Sequence, residues 1–387
     1  MDAVQLQEHG SWVQVDAQVE DIRALNALGV IEIDHHPGAT RMRAGSHVGT
    51  VNVGDLQLHV APKVGIPRLL FLLGFARDPT GWRDDRVELP EADGLLPAAA
   101  AALAVIGRRV LSGGILQGYR RTEDRLPVLR GRLDEAAQIA AGRGLAFPVS
   151  VVYDEYTVDI PENRMLRTAM RRVKRLPGVA PRFTAELRRL DALLDQVAIL
   201  PGGAPLPRFR WDRRNGRYRS AVELARLVLT ATSWDSGIGP VTAAGFLFDM
   251  NRVFEDFLTA ALTVSLRRHG GAVLAQPSSY LDERNLVQIR PDVVWREAGR
   301  ARAVIDAKYK LGESNADDYQ VVAYCTALGC ASAHLVDAAG PAIATSTTVR
   351  NSLIQLHRWH LDLGTTPEDL LAQVDVLADR LAERTAG

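Results

Sequence analysis

From residue 245 onward the apolar residues change period twice, and this limits the fold more than any other feature of the chain. Phe246, Met250, Val253, Phe254, Phe257, Leu258 and Ala261 recur at helical spacing. Two strand-like runs follow, residues 287–295 and 302–309, with Gly299 between them. Residues 317–328 read as a helix and 333–336 as a short strand. The order helix, strand, strand, helix, strand predicts a compact α/β unit with a mixed central sheet.

Each run carries one aspartate among apolar neighbours: Ile289-Arg290-Pro291-Asp292-Val293-Val294 and Val304-Ile305-Asp306-Ala307-Lys308-Tyr309. Asp292 and Asp306 are equidistant from Gly299, so a hairpin centred there sets them opposite each other, roughly 5 Å apart. Side chains alternate along a strand, which places Asp306 and Lys308 on one face. Buried acids need partners or a metal. Phosphodiester hydrolysis needs a hard cation, Mg²⁺ or Mn²⁺, and Asp292, Asp306 and Glu255 of the preceding helix are the candidate ligands. Lys308 can orient or deprotonate the attacking water and stabilise the transition state. Gln320 and Tyr324, one helical turn apart, can face the same site; Lys310 points the same way by alternation, as a rim charge. Only Lys63, Lys174, Lys308 and Lys310 among the 46 basic residues are lysines, so a lysine kept here argues for a compact, titratable ammonium. A blander reading makes Asp292 a turn acid after Pro291 and Asp306–Lys308 a surface pair. Order, spacing, flanking strands, Glu255 and the Gln320/Tyr324 pair favour the catalytic one.

A chain of 387 residues predicts more than one domain. The expected division is a β-rich domain over 1–94, a mainly helical middle region over 95–235 and a nuclease domain over 236–387. The first contains a hairpin turning at Gly54-Asp55, then a helix over 67–75 and a polar linker over 78–94. The middle region has an alanine-rich helix over 95–120, a helix opened by Pro161 and running to about residue 175, and helices near 182–198 and 220–233. Net charge is zero, but residues 164–219 hold fifteen Lys or Arg against four acids, a block suited either to phosphates or to a solvated helix face. Two cysteines, Cys325 and Cys330, make neither a disulfide framework nor a zinc site unaided. The scattered histidines, His35-His36 and His357 with His360 included, read as surface or core. No apolar run approaches the roughly 20 residues of a membrane span and no signal peptide is visible, so a cytoplasmic location is expected.

With these residues in hand, the chain resembles the McrC family, the nuclease subunit of the McrBC modification-dependent restriction system. The resemblance rests on Gly49 through Pro62-Lys63, on Leu129-Arg130-Gly131-Arg132-Leu133-Asp134, and on Tyr153-Asp154-Glu155-Tyr156-Thr157-Val158-Asp159-Ile160-Pro161-Glu162-Asn163-Arg164. Arg214-Asn215 with Tyr218, Phe248-Asp249-Met250-Asn251-Arg252-Val253-Phe254-Glu255 and the Asp292/Asp306/Lys308 set complete it. It implies a PD-(D/E)xK nuclease of restriction-endonuclease-like α/β fold, acting on DNA with a hexameric McrB-like AAA+ GTPase engaged by the N-terminal region; the sequence leaves open whether the nuclease domain also forms a homodimer. The sequence agrees in having no GxxxxGK[ST] loop. Arg130 and Arg132 either touch the motor or pack within the protein, and the Tyr153–Arg164 stretch reads as a structural interdomain element. A stand-alone RecB-like repair nuclease and a non-catalytic adaptor of an AAA+ motor are the alternatives.

Overall fold

The computed structural model describes residues 2–36, 39–77, 79, 95–141, 147–175, 179–231, 236–238, 241–309, 314–338 and 344–383. Lys310 and, residue 79 apart, the expected linker at 78–94 lie outside them. The chain divides into two compact units rather than three consecutive ones: Met1–Ala98 with Thr230–Gly387, and Ala99–Leu229.

The first unit opens with β1 (Asp2–Gln7), β2 (Val13–Val15), α1 (Val19–Ala27), β3 (Ile31–His36), β4 (Ala39–Ala44), β5 (His47–Val53), β6 (Leu56–Ala61) and α2 (Ile66–Arg77). β5 and β6 pair antiparallel across the expected turn, where Gly54 takes a φ of 56° that a side chain would disfavour. Val51, Val53, Leu56, Leu58 and Val60 are buried.

The second unit holds α3 (Leu95–Ser112), β7 (Gly118–Leu126), β8 (Arg132–Leu133), α4 (Glu135–Ala140), β9 (Val149–Thr157), α5 (Pro161–Val173), α6 (Pro181–Leu193) and α7 (Arg219–Ala231). The alanine-rich helix stops at Ser112, short of the expected residue 120, because Gly113-Gly114 follow and Gly114 adopts a φ of 90°. The Tyr153–Arg164 stretch proves to knit this one unit internally. Buried Asn163 donates to the carbonyls of Leu116 and Val158 at 2.8 and 2.7 Å, and Arg164 and Arg120 pair with Asp159. Part of the basic block serves the fold in the same way: Arg167, Arg171 and Lys174 surround Asp191, and Arg217 donates to the carbonyls of Gly113 and Gly114. Arg130 stacks on the Tyr153 ring at 4.1 Å, and Arg132 lies in β8.

The chain returns to the first unit with β10 (Ser236–Ile238), β11 (Val241–Asp249), α8 (Met250–Ser265), β12 (Ala272–Ala275), β13 (Ser279–Tyr280), β14 (Gln288–Ile289), β15 (Val293–Glu297), β16 (Arg300–Lys308), α9 (Asn315–Leu328), β17 (Ser332–Asp337), β18 (Ala344–Thr348), β19 (Gln355–His360) and α10 (Pro367–Ala382). Unforeseen from sequence, β11 pairs antiparallel with β5, completing a sheet of order β1-β6-β5-β11-β10. Behind it α8 packs on α2, with the Phe257 ring centroid 6.0 Å from Phe71 and 5.6 Å from Phe75. These contacts make the N-terminal and C-terminal segments one body. The second large sheet runs β12-β15-β16-β17-β19-β18 and is mixed, with β16, β17 and β19 parallel. Among the described residues no helix is long and apolar enough to cross a membrane.

Candidate active site

The β15–β16 hairpin turns through Ala298 and Gly299, at φ 48° and 79°, and closes on the pair Glu297↔Arg300. That turn alone would set Asp292 against residue 305. A bulge between Trp295 and Arg296 takes up Arg302 as an extra residue and moves the register by one, giving Val293↔Ile305. Asp292, just before β15, therefore falls beside Asp306. The strand expected over 287–295 breaks at Pro291, which has no amide hydrogen for a ladder; β14 turns away to pair with β13. Asp292 is secured instead by its side chain, whose Oδ2 accepts the Ala307 amide hydrogen at 2.8 Å.

Asp306 is 2% exposed in the middle of β16. Burial pushes its pKa up, against the pull of Lys308. Asp292 is pushed up to about 7, first by burial and then by the Asp306 charge. Lys308 Nζ lies 2.5 Å from Asp306 Oδ2 and 3.8 Å from Asp317 Oδ1. Burial disfavours its ammonium, yet Asp306, Asp317 and Asp292 outweigh this and raise its pKa. The Lys308 ammonium thus sits among carboxylates, in position for an electrostatic or orienting role. It donates to Gln320 Oε1 at 3.1 Å, and Gln320 Nε2 donates to the Tyr324 hydroxyl at 2.8 Å. The structure therefore brings Asp292, Asp306, Lys308, Gln320 and Tyr324 together.

Glu255 stands apart from this set. It projects from α8 near enough to raise the Asp292 pKa, but its Oε1 accepts from Gln276 Nε2. Among the described residues no three His, Cys, Asp or Glu side chains are placed to share a metal ion. Two residues were missed by sequence reasoning. Asp317 sits three residues before Gln320 on the same helix face, a spacing that was available. Gln276 had no signal: it reaches the site through its position after β12, where its amide donates to the Asp292 carbonyl at 2.8 Å and its side chain joins Glu255 to Arg290.

The donor set suits a hard divalent cation. Asp292 and Asp306 offer carboxylate oxygens whose burial and mutual repulsion a dication would relieve. Asp306 Oδ2 is buried, with the Lys308 ammonium 2.5 Å away as its partner.

A mixed α/β fold with this site places the chain among proteins of known architecture. The fold is similar to that of a chain in the refined half-complex from the tetradecameric assembly of Thermococcus gammatolerans McrB AAA+ hexamers with bound McrC. That match has a TM-score of 0.60 and 18% identity, over 98% of this chain and 100% of that one. A chain of the Thermococcus gammatolerans McrBC complex aligns at a TM-score of 0.41 and 18% identity, over 68% of this chain and 88% of that one. No curated protein matches the sequence. The chain belongs to the McrBC 5-methylcytosine restriction system component family, whose model matches residues 42–336. That span holds all six candidate site residues.

Proposed function

We propose that this chain is the metal-dependent DNA endonuclease subunit of a McrBC-like restriction complex, hydrolysing phosphodiester bonds at a PD-(D/E)xK centre. The observation that carries this reading is the pairing of buried Asp306 with half-buried Asp292, with Lys308 Nζ at 2.5 Å from Asp306. Asp292 and Asp306 would hold Mg²⁺ or Mn²⁺, with Glu255 released from Gln276 as a further oxygen donor. The cation would supply Lewis-acid stabilisation and an activated water. Lys308 supplies a fixed positive charge toward the anionic phosphate. Gln320 and Tyr324 orient that ammonium, so its position does not have to be found during the reaction.

Recognition and movement of DNA fall to a partner in this reading. The chain has no P-loop to bind a nucleotide, and the similar fold comes from an assembly with McrB AAA+ hexamers. The test is to incubate the full chain with 5-methylcytosine-containing plasmid, adding or omitting its AAA+ GTPase and Mg²⁺. Cutting that needs both is expected. Cutting without a divalent ion overturns the metal reading, and undiminished cutting without the GTPase favours a stand-alone nuclease.

A further inference from the structure

Glu8, one residue past β1, is a carboxyl that the proposed chemistry does not use. It is 0% exposed. Its Oε2 accepts from the Tyr309 hydroxyl at 3.2 Å and from the Lys63 amide at 3.0 Å, while Oε1 has no hydrogen-bond partner. A buried polar atom left unsatisfied is destabilising, so an apolar side chain would serve packing better. Burial raises the Glu8 pKa, which favours the neutral acid.

Its partner sits at a sensitive place. Tyr309 follows Lys308 directly, is buried, and lies with its ring centroid 6.1 Å from Phe254, the residue before Glu255. The pairing of β16 with β15 ends at Ile305. Beyond that point β17 supports one side, and the Asp292 bond to the Ala307 amide supports the other. Tyr309 is the next anchor. Its side chain points to the face opposite Lys308 by alternation, so tethering it fixes the peptide from which the Lys308 side chain rises. Glu8 is itself set by the N-terminal sheets, since its amide donates to the Ala61 carbonyl at 3.0 Å and it bridges to Ala44 of β4.

We propose that Glu8 is a positioning residue for Lys308, acting through Tyr309, so that the N-terminal sheets set the geometry of the cleavage site. The inference deepens the nuclease reading and rests on it. A displacement of about 1 Å at such a centre can cost on the order of 10²-fold in rate.

The experiment measures kcat and KM for cleavage of 5-methylcytosine-containing plasmid by the full chain with its GTPase partner. Tyr309→Phe, Glu8→Ala, their double variant and Glu8→Gln are compared, with thermal melts of each. Tyr309→Phe and Glu8→Ala are expected to lower kcat roughly tenfold with KM unchanged, and the double variant to match the worse single. Glu8→Gln, which keeps an acceptor for both donors, is expected to restore kcat to within about threefold. Wild-type kcat in Tyr309→Phe, multiplying effects in the double variant, or Glu8→Gln as slow as Glu8→Ala would each overturn the proposal. Asp306→Asn run in parallel separates the two claims. If it is inactive while Tyr309→Phe is normal, only the positioning role fails; if it cuts normally, the nuclease reading fails.

Discussion

The Ala307 amide donates to Asp292 Oδ2 at 2.8 Å, pinning the carboxylate that precedes β15 to the strand that carries Asp306. One Asp292 oxygen thereby ties the carboxylate to the fold beside Asp306. The pair does not depend on a flexible loop for its spacing.

Lys308→Arg is expected to lose roughly 10²-fold or more in cleavage rate, although charge is conserved. The ammonium occupies a small space between Asp306, Asp317 and Gln320, and a planar guanidinium cannot keep those distances. Steady-state cleavage with the partner present checks this, with Lys310→Arg as the charge-matched control. Equal rates in the two variants would remove Lys308 from the site.

Gln320→Ala takes away the acceptor of Lys308 and the donor to Tyr324. A kcat loss of about tenfold is expected, with a smaller loss for Tyr324→Phe. The double variant should be no slower than Gln320→Ala, because both act through one hydrogen-bonded chain. Multiplying losses would show that Tyr324 acts separately.

Residues 230–387 expressed alone are not expected to fold. Without the N-terminal segment β11 loses β5, and Phe257 loses Phe71 and Phe75. Far-UV and near-UV circular dichroism should show no cooperative melt for the fragment and a sharp one for the full chain. A folded, metal-binding fragment would contradict the grouping of the two terminal segments.

This dependence marks the limit of what the sequence reveals. The Asp292/Asp306 pairing was legible because both lie in short apolar runs equidistant from Gly299. The outcome was right, though the turn has two residues and the bulge at Arg302 makes up the difference. Gln320 and Tyr324 were legible from helical periodicity. β11 was not, since its partner strand β5 lies about 200 residues earlier and local pattern carries no trace of so distant a pairing. Glu8 and Tyr309, 301 residues apart, are hidden for the same reason.

Asp159 provides a pH test of the second unit. Its pKa is lowered to about 2, chiefly by the Arg164 hydrogen bond, against burial and with help from the Ala198 amide. A carboxylate depressed from about 3.9 contributes stability that is fully present above that value and is lost as pH falls toward 2, roughly 2 kcal/mol in all. Asp159→Asn should therefore lower the melting temperature clearly at pH 7 and about half as much at pH 3. A deficit equal at both pH values would assign its effect to packing rather than charge.

The most direct measurement is the rate at which Asp306→Asn, as full chain with the proposed GTPase partner and Mg²⁺, cuts 5-methylcytosine-containing plasmid. Replacing the buried acid removes its repulsion with Asp292, so the melting temperature should be unchanged or higher, and partner binding should persist. Cleavage is expected to fall at least about 10²-fold. A folded Asp306→Asn protein that cuts at the wild-type rate would contradict the assignment of this site.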